Sequence, residues 1–224
     1  MRNILALTLT MAFVPAVSFA ALQANEHQHQ HAAPKTINPC QTKEGKPCSP
    51  STKAYMKSAR TMHKGMDIKY SGNPDVDFAR GMVPHHQAAV DMVKVVLQYG
   101  KDPEIRKLAE WIKTSQKLEI DQMKGWLSTV GDGAWRDPKD PSIAAYKAAA
   151  EKMHAAMHIR YTGKPDVDFA RGMIPHHEGA IAMADIVIKH GKDPVLLEIA
   201  RNIQSSQQQE IARMQDWLKA NDKK

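Results

Sequence analysis

The sequence predicts an all-α protein: a four-helix bundle built from two tandem repeats, each a short leading helix followed by an antiparallel helical hairpin. Three observations carry this. The segment Asp75–His86, D-V-D-F-A-R-G-M-V-P-H-H, returns as Asp166–His177 with Val83/Ile174 as its only change. Apolar residues recur at helical spacing between these segments and the repeat ends, and no stretch alternates as a strand does. Finally, proline directly follows a capping residue at matching places in both halves, the pattern of a helix start.

Before the repeats lie two segments of different character. Met1-Arg2-Asn3, an apolar run from Ile4 to Val17 and Ser18-Phe19-Ala20 read as a secretory signal peptide over residues 1–20, cut after Ala20. Its apolar run is too short to favour a membrane span, and no other segment is apolar enough for one. Residues 21–48 read as a tail with His27, His29 and His31 in alternation, either a loose metal collector or a polar spacer. Cys40 and Cys48 lack the C-x-x-C spacing; of a loop-closing disulfide and a thiolate site, an oxidising compartment favours the disulfide. An exported chain points to a bacterial periplasm.

Repeat 1 covers 49–130, a linker with Gly131-Asp132-Gly133 covers 131–140, and repeat 2 covers 141–224. Ser49-Pro50 and Asp140-Pro141 open the leading helices, expected near 50–71 and 141–162. The repeated segments open helices near 75–99 and 166–190. Gly100-Lys101-Asp102-Pro103 and Gly191-Lys192-Asp193-Pro194 then combine a glycine stop, an aspartate cap and a proline start, so the last helices run near 103–128 and 194–220. A link that short makes each second and third helix an antiparallel hairpin, and two hairpins pack most simply as a four-helix bundle. Pro84 breaks this regularity, because it cannot donate to the Arg80 carbonyl and disfavours helical angles at Val83. It either kinks one helix or starts another.

The formal charge of +7 comes from lysines and arginines mixed with acids, a solvated surface rather than a nucleic-acid footprint. The chemistry concentrates elsewhere. Five methionine pairs recur between repeats: Met62/Met153, Met66/Met157, Met82/Met173, Met92/Met183 and Met123/Met214. With them come His63, His85 and His86 in repeat 1 and His154, His158, His176 and His177 in repeat 2. Thioether and imidazole donors without thiolates suit Cu(I) or Ag(I). His85 and His86 fall at the edges of an apolar stripe containing Phe78, Met82, Ala89, Val93 and Val96. Glu119 interrupts the stripe of Ile105, Leu108, Ile112, Met123 and Trp126, as Glu210 does between Ile203 and Met214. An inward carboxylate needs a partner. Imidazole is the expected one, with Arg80 as competitor, or the carboxylate binds metal directly. Whether Met92 and Met123 are ligands or core, spacing leaves open.

R-G-M-[VI]-P-H-H followed by a glutamate-to-methionine helix resembles an exported bacterial family catalogued as domain of unknown function number three hundred and five. The resemblance covers about 50–128 and 141–220. It implies a ferritin-like helical fold and, from the family's CopM-like members, periplasmic copper and silver binding linked to metal resistance. It also implies that Met82, His85 and His86, with Met173, His176 and His177, hold metal. Met62, His63 and Met66, with Met153, His154, Met157 and His158, would assist. Asp67 stands where repeat 2 has His158, and Gln87 where it has Glu178, so the two sites need not be equivalent.

The expected function is non-enzymatic binding of at least two Cu(I) or Ag(I) ions per chain, held mainly within repeats. The expected partners are metal ions and copper export or delivery proteins, with no nucleic acid. The alternatives are a ferritin-like di-metal oxidoreductase, and a structural or partner-binding bundle. The first wants Glu-x-x-His spacing, whereas Glu119 is followed by Gln122 and Met123. A zinc hydrolase motif fails because Ile181 stands where H-E-x-x-H needs its second histidine.

Overall fold

In the computed structural model, residues 48–130 and 137–222 are described. They form six α-helices: α1 (Pro50–Gly65), α2 (Pro74–Tyr99), α3 (Pro103–Val130), α4 (Pro141–Ala156), α5 (Pro165–His190) and α6 (Pro194–Asn221). The described part is an all-α helical bundle. The signal peptide, the histidine tail, Cys40 and Gly131-Asp132-Gly133 lie outside the described residues. Cys48 is disulfide-bonded.

Every helix begins with proline, whose fixed φ suits the first turn and whose missing N–H would have had no helical partner. The residue ahead supplies the cap in five cases. Ser49 Oγ accepts from the Thr52 N–H at 3.1 Å, and Asn73 accepts from Asp75 and Val76. Asp102 accepts from Glu104 and Ile105, both at 3.0 Å, Asp140 from Ser142 at 2.8 Å, and Asp193 from Val195 and Leu196. Lys164 stands where Asn73 would be and gives no side-chain cap. There the entering turn is held by Asp168, which accepts from the Thr162 N–H and hydroxyl and from the Gly163 N–H. Asp77 holds the Ser71-Gly72 turn in the same way. Both turns use glycine at φ +79, the left-handed region that a Cβ disfavours.

The leading helices stop sooner than the pattern suggested, at Gly65 and Ala156. Met66 and Met157 close them through N–H bonds to the Met62 and Met153 carbonyls, both 2.9 Å. The residues beyond them run as an irregular connection into the glycine turns. Pro84 and Pro175, by contrast, neither start nor end a helix: α2 and α5 continue through them. Interior proline costs about 3 kcal/mol against alanine. The packing around these prolines opposes that cost, since Met82, His85, His86 and Ala89 are each 0% exposed.

The α2–α3 and α5–α6 hairpins meet mainly through α2 and α5, while α3 and α6 touch only slightly. The leading helix α1 lies on α2, and α4 on α5. The central pair runs antiparallel, because the start of each helix is bonded to the chain just beyond the end of the other. Asp75 accepts from the Lys192 N–H at 3.0 Å and the Asp193 N–H at 3.3 Å. Asp166 accepts from Lys101 at 3.0 Å and Asp102 at 3.4 Å. The leading helices reach across as well. The Tyr55 hydroxyl donates to the Pro165 carbonyl at 3.0 Å, and Tyr146 to Pro74 at 2.9 Å. Tyr55 stacks on Tyr161 and Tyr70 on Tyr146.

These crossings make the α2/α5 contact depend on both halves. Asp75→Ala should cost about 1–2 kcal/mol, the value of a lost helix cap, because it strands two loop amides. Asp166, less buried, should cost less. Denaturant midpoints at constant m-value measure both, and an unchanged midpoint for Asp75→Ala would show that water replaces the carboxylate freely.

Candidate metal centre

Where α2 and α5 cross, the two histidine pairs meet. His85, His86, His176 and His177 are each 0% exposed. The His85 and His176 rings lie 3.7 Å apart between centroids. His86 and His177 follow at 6.0 Å and 6.1 Å from their chain neighbours. Each end of this row is closed by a carboxylate: His86 Nε2 lies 2.7 Å from Glu119 Oε2, and His177 Nε2 lies 2.7 Å from Glu210 Oε2. The row therefore reads Glu119, His86, His85, His176, His177, Glu210, and spans both hairpins.

The hydrogen bonds fix where the electron pairs are. An ionised carboxylate only accepts, so with Nε2 of His86 and His177 donating to it, the neutral form of each ring carries its lone pair on Nδ1. A carbonyl oxygen also only accepts, so His176 Nε2 donates to the His85 carbonyl, 3.1 Å away. Nδ1 of His86, His176 and His177 is buried without a hydrogen-bond partner, and so are both nitrogens of His85. Buried polar atoms are normally paired. Four imidazoles presenting unpaired nitrogens in one dry place form a donor set suited to a metal ion.

Burial first, and then the charges of His176, His86 and His177, holds the His85 imidazolium pKa well below its ordinary range. His176 is lowered likewise, by burial and then by His177 and His86. Both stay neutral, the form that binds metal.

The methionines line the same seams. Because His86 faces Glu119 across antiparallel α2 and α3, Met82 and Met123 fall together one turn along; Met173 and Met214 do so on α5 and α6. All four are 0% exposed. Met62 and Met153 are 1% and 3% exposed, and the Met153 sulfur lies over Gly179, one turn beyond His176. Met66 and Met157 are buried at the ends of α1 and α4. Met92 and Met183 pack their methyls against Gly172 and Gly81 of the opposite central helix. His63 and His154 are half-buried and His158 is exposed.

The expected grouping within repeats is not what the structure has for the histidines. His85 meets His176, and His63 meets His154 with centroids 4.0 Å apart. An expectation framed repeat by repeat could not foresee that α2 and α5 cross at these residues. Arg80 is not the partner of the inward glutamate, and its repeat mate Arg171 binds Asp222 at 3.0 Å. Gln116 and Gln207 went unnoticed in the sequence. They are 1% and 2% exposed, with neither amide atom hydrogen-bonded. The signal was present: each lies three residues before the inward glutamate on the same stripe. Among the described residues, no three His, Cys, Asp or Glu side chains are arranged to hold an ion by themselves. A site here has to draw on methionine sulfur or on histidine movement.

The sequence profile described as "Domain of unknown function (DUF305)" matches residues 75–163 and again 166–224. The chain belongs to the DUF305 family. Among solved structures, it resembles CopM in an Ag-bound form, with 31% identity and a TM-score of 0.51 over 66% of this chain and 96% of that one. CopM in its Cu(I)-bound form gives 31% identity and a TM-score of 0.50, over 65% and 96%. A DUF305 protein of Streptomyces coelicolor gives 27% identity and a TM-score of 0.53, over 67% and 94%. An uncharacterized protein of Acanthamoeba polyphaga mimivirus is 42% identical over 53 residues, 24% of this chain and about a third (35%) of that relative's length.

The depressed histidines give this DUF305 chain a pH signature. Below about pH 6.5 the unfolded chain binds protons that buried His85 and His176 refuse. Their contribution to stability is present above that value and lost as the pH falls through their lowered folded values. Without metal, unfolding free energy should drop between pH 7 and 5 with a limiting slope of about 1.4 kcal/mol per pH unit for each histidine kept neutral. His85→Gln with His176→Gln should flatten the slope. An equal slope in the variant would assign the acid sensitivity to other groups.

Proposed function

We propose that this protein binds soft monovalent metal ions, Cu(I) or Ag(I), as a non-enzymatic sequestering or carrier protein. The observation that carries the reading is the row of four fully buried imidazoles with unpaired nitrogens, flanked by buried methionines on the same seams. Thioether and imidazole are the donor types that prefer these ions to harder ones. Membership of the family that holds CopM, whose structures include Cu(I)- and Ag-bound forms, supports the same reading.

The residues have distinct roles in it. His85 and His176 offer donors at the crossing, and His86 and His177 offer Nδ1 on either side. Glu119 and Glu210 hold the outer rings in one tautomer and raise their basicity, the usual work of a carboxylate behind a ligating histidine. Met82, Met123, Met173 and Met214 supply sulfur within the seams, and Met62 and Met153 supply it from the leading helices. This inventory supports at least two ions per chain, with the central pair shared between halves. The signal-peptide pattern read in residues 1–20 supports a periplasmic location, and no helix among the described residues is long and apolar enough to cross a membrane. Copper export or delivery proteins would then be the partners that give or receive the ion.

Competition titrations should rank Cu(I) and Ag(I) far above Zn(II), and equal or tighter zinc binding would remove the soft-site reading. Replacing Glu119 with Gln should weaken Cu(I) binding by about 10- to 100-fold, the usual effect of losing a ligand's hydrogen-bond partner. Affinity and stability both unchanged would mean that the glutamate has no part in the site.

A further inference from the structure

The outer side of α3 carries apolar side chains that the bundle does not use. Trp111 is 65% and Leu118 60% exposed. They stand two turns apart on one face, and the next position at that spacing is Gly125, where an added Cβ would meet open space. Glycine inside a helix weakens it, and its use is the close approach of another backbone. The fold does not require this stripe. At the matching places repeat 2 has Asn202, Gln209 and Asp216, all exposed, on the equally long α6. The stripe forms one wall of an open groove between α3 and α6, with a volume of about 890 Å³. Ile105, Leu108 and Trp217 line its floor, and Trp217 buries its indole N–H without a hydrogen-bond partner.

We propose that this face is a self-association surface, on which α3 packs antiparallel against α3 of a second copy of the chain, across a twofold axis near Thr114 and Ser115. Exposed tryptophan is the residue type that most often anchors such contacts. The charges point to this occupant. At about 100° per residue, Lys107 and Asp121 lie on the same side of the stripe. The axis that sets Trp111 on Leu118 of the second copy therefore sets Lys107 opposite its Asp121, and a twofold contact makes each pair twice. Glu110 and Lys117 correspond likewise at the margin. Among the described residues, neither Lys107 nor Asp121 makes an ion pair within the chain. A partner of one charge sign, such as an anionic membrane, would meet like charge along part of this rim. The amino-terminal tail, residues 21–48, has only Leu22 and Ile37 as large apolar side chains, too few to cover the stripe. The size is adequate. α3 has 28 residues, so it is about 42 Å long, and with α6 beside it the face is about 20 Å wide. That is about 800 Å² per partner, the share of a standard interface. None of these residues belongs to the buried histidine row, so the proposal does not rest on the soft-metal reading.

The test is analytical ultracentrifugation of the full mature chain without metal, from micromolar to millimolar concentration. The unaltered chain should pass from monomer to dimer. Trp111→Asn with Leu118→Gln, the residues that repeat 2 has at these places, should weaken dimerisation by at least about 30-fold, the effect of losing an interface anchor. Because α6 forms its helix with those same residues, the variant should fold, and circular dichroism melting verifies it. Lys107→Asp should weaken the dimer by setting two carboxylates opposite each other, and adding Asp121→Lys should restore it. A chain that stays monomeric throughout, with or without another exported protein on this face, would overturn the proposal. So would a dimer that the Trp111 and Leu118 changes leave intact, since its interface would lie elsewhere. A charge swap that fails to restore association would overturn the antiparallel pairing of α3 with its copy.

Discussion

The packing of His85 against His176 at the crossing of α2 and α5 is the contact on which the rest of the structure depends. Two imidazoles 3.7 Å apart with no solvent exposure can coexist only while both are uncharged, because burying a lone charge costs several kcal/mol. The surroundings meet that condition by sequestration rather than by neutralisation. The carboxylates bond one ring further out, at His86 and His177, while His176 bonds the His85 carbonyl and each inner ring packs beside its neighbouring imidazoles. Such a core is poor in hydrogen bonds and gains little stability from its polar groups. Its stability has to come from elsewhere.

It comes from contacts that tie each half to the other. Aspartate at the start of each central helix holds the loop beyond the other central helix, and tyrosine on each leading helix holds the opposite helix start. Each link contributes about 0.5–1.5 kcal/mol, more where a charge is involved. Together they pin the α2/α5 crossing at both ends, so the unpaired histidines in the middle are held where packing alone would not fix them. The interior prolines fit the same arrangement. Each lies immediately before a histidine pair, in a helix whose inward residues there, such as Met82, His85, His86 and Ala89, are fully buried.

Much of this was legible in the chain. Helix starts follow from proline after a capping residue, and the helix pairing follows from short links. The inward glutamate showed itself as a charge inside an apolar stripe, and the structure sets it on imidazole. What the sequence hid was of another kind. Helix periodicity says which residues share a face but not which residues of two distant helices meet at a crossing, so His85 with His176 and His63 with His154 went unread. At Pro84 the sequence left a kinked single helix and a new start both open, because local propensity argues for a break and only tertiary packing opposes it; α2 continues. Gln116 and Gln207 were overlooked because glutamine is usually exposed, although they lie on the same stripe as the glutamates.

The near-twofold relation of the two halves fails at the centre, and this has a chemical consequence. His176 donates to the His85 carbonyl, but both nitrogens of His85 are without a hydrogen-bond partner. A neutral imidazole carries one N–H and one lone pair, so His85 buries an unpaired donor as well as an unpaired acceptor. Leaving such groups unsatisfied costs about 1–3 kcal/mol each. A ligand that takes the lone pair removes part of that cost, and ring rotation toward a newly placed acceptor can remove the rest. His176 has already committed its N–H and offers Nδ1 alone. Two residues at equivalent repeat positions thus differ in what they present: His176 donates from Nε2 to a carbonyl, and His85 has both nitrogens without a hydrogen-bond partner. A soft ion arriving at the crossing would meet a preset donor on one helix and an adjustable one on the other. An ion held there would call for ring adjustment on one helix only.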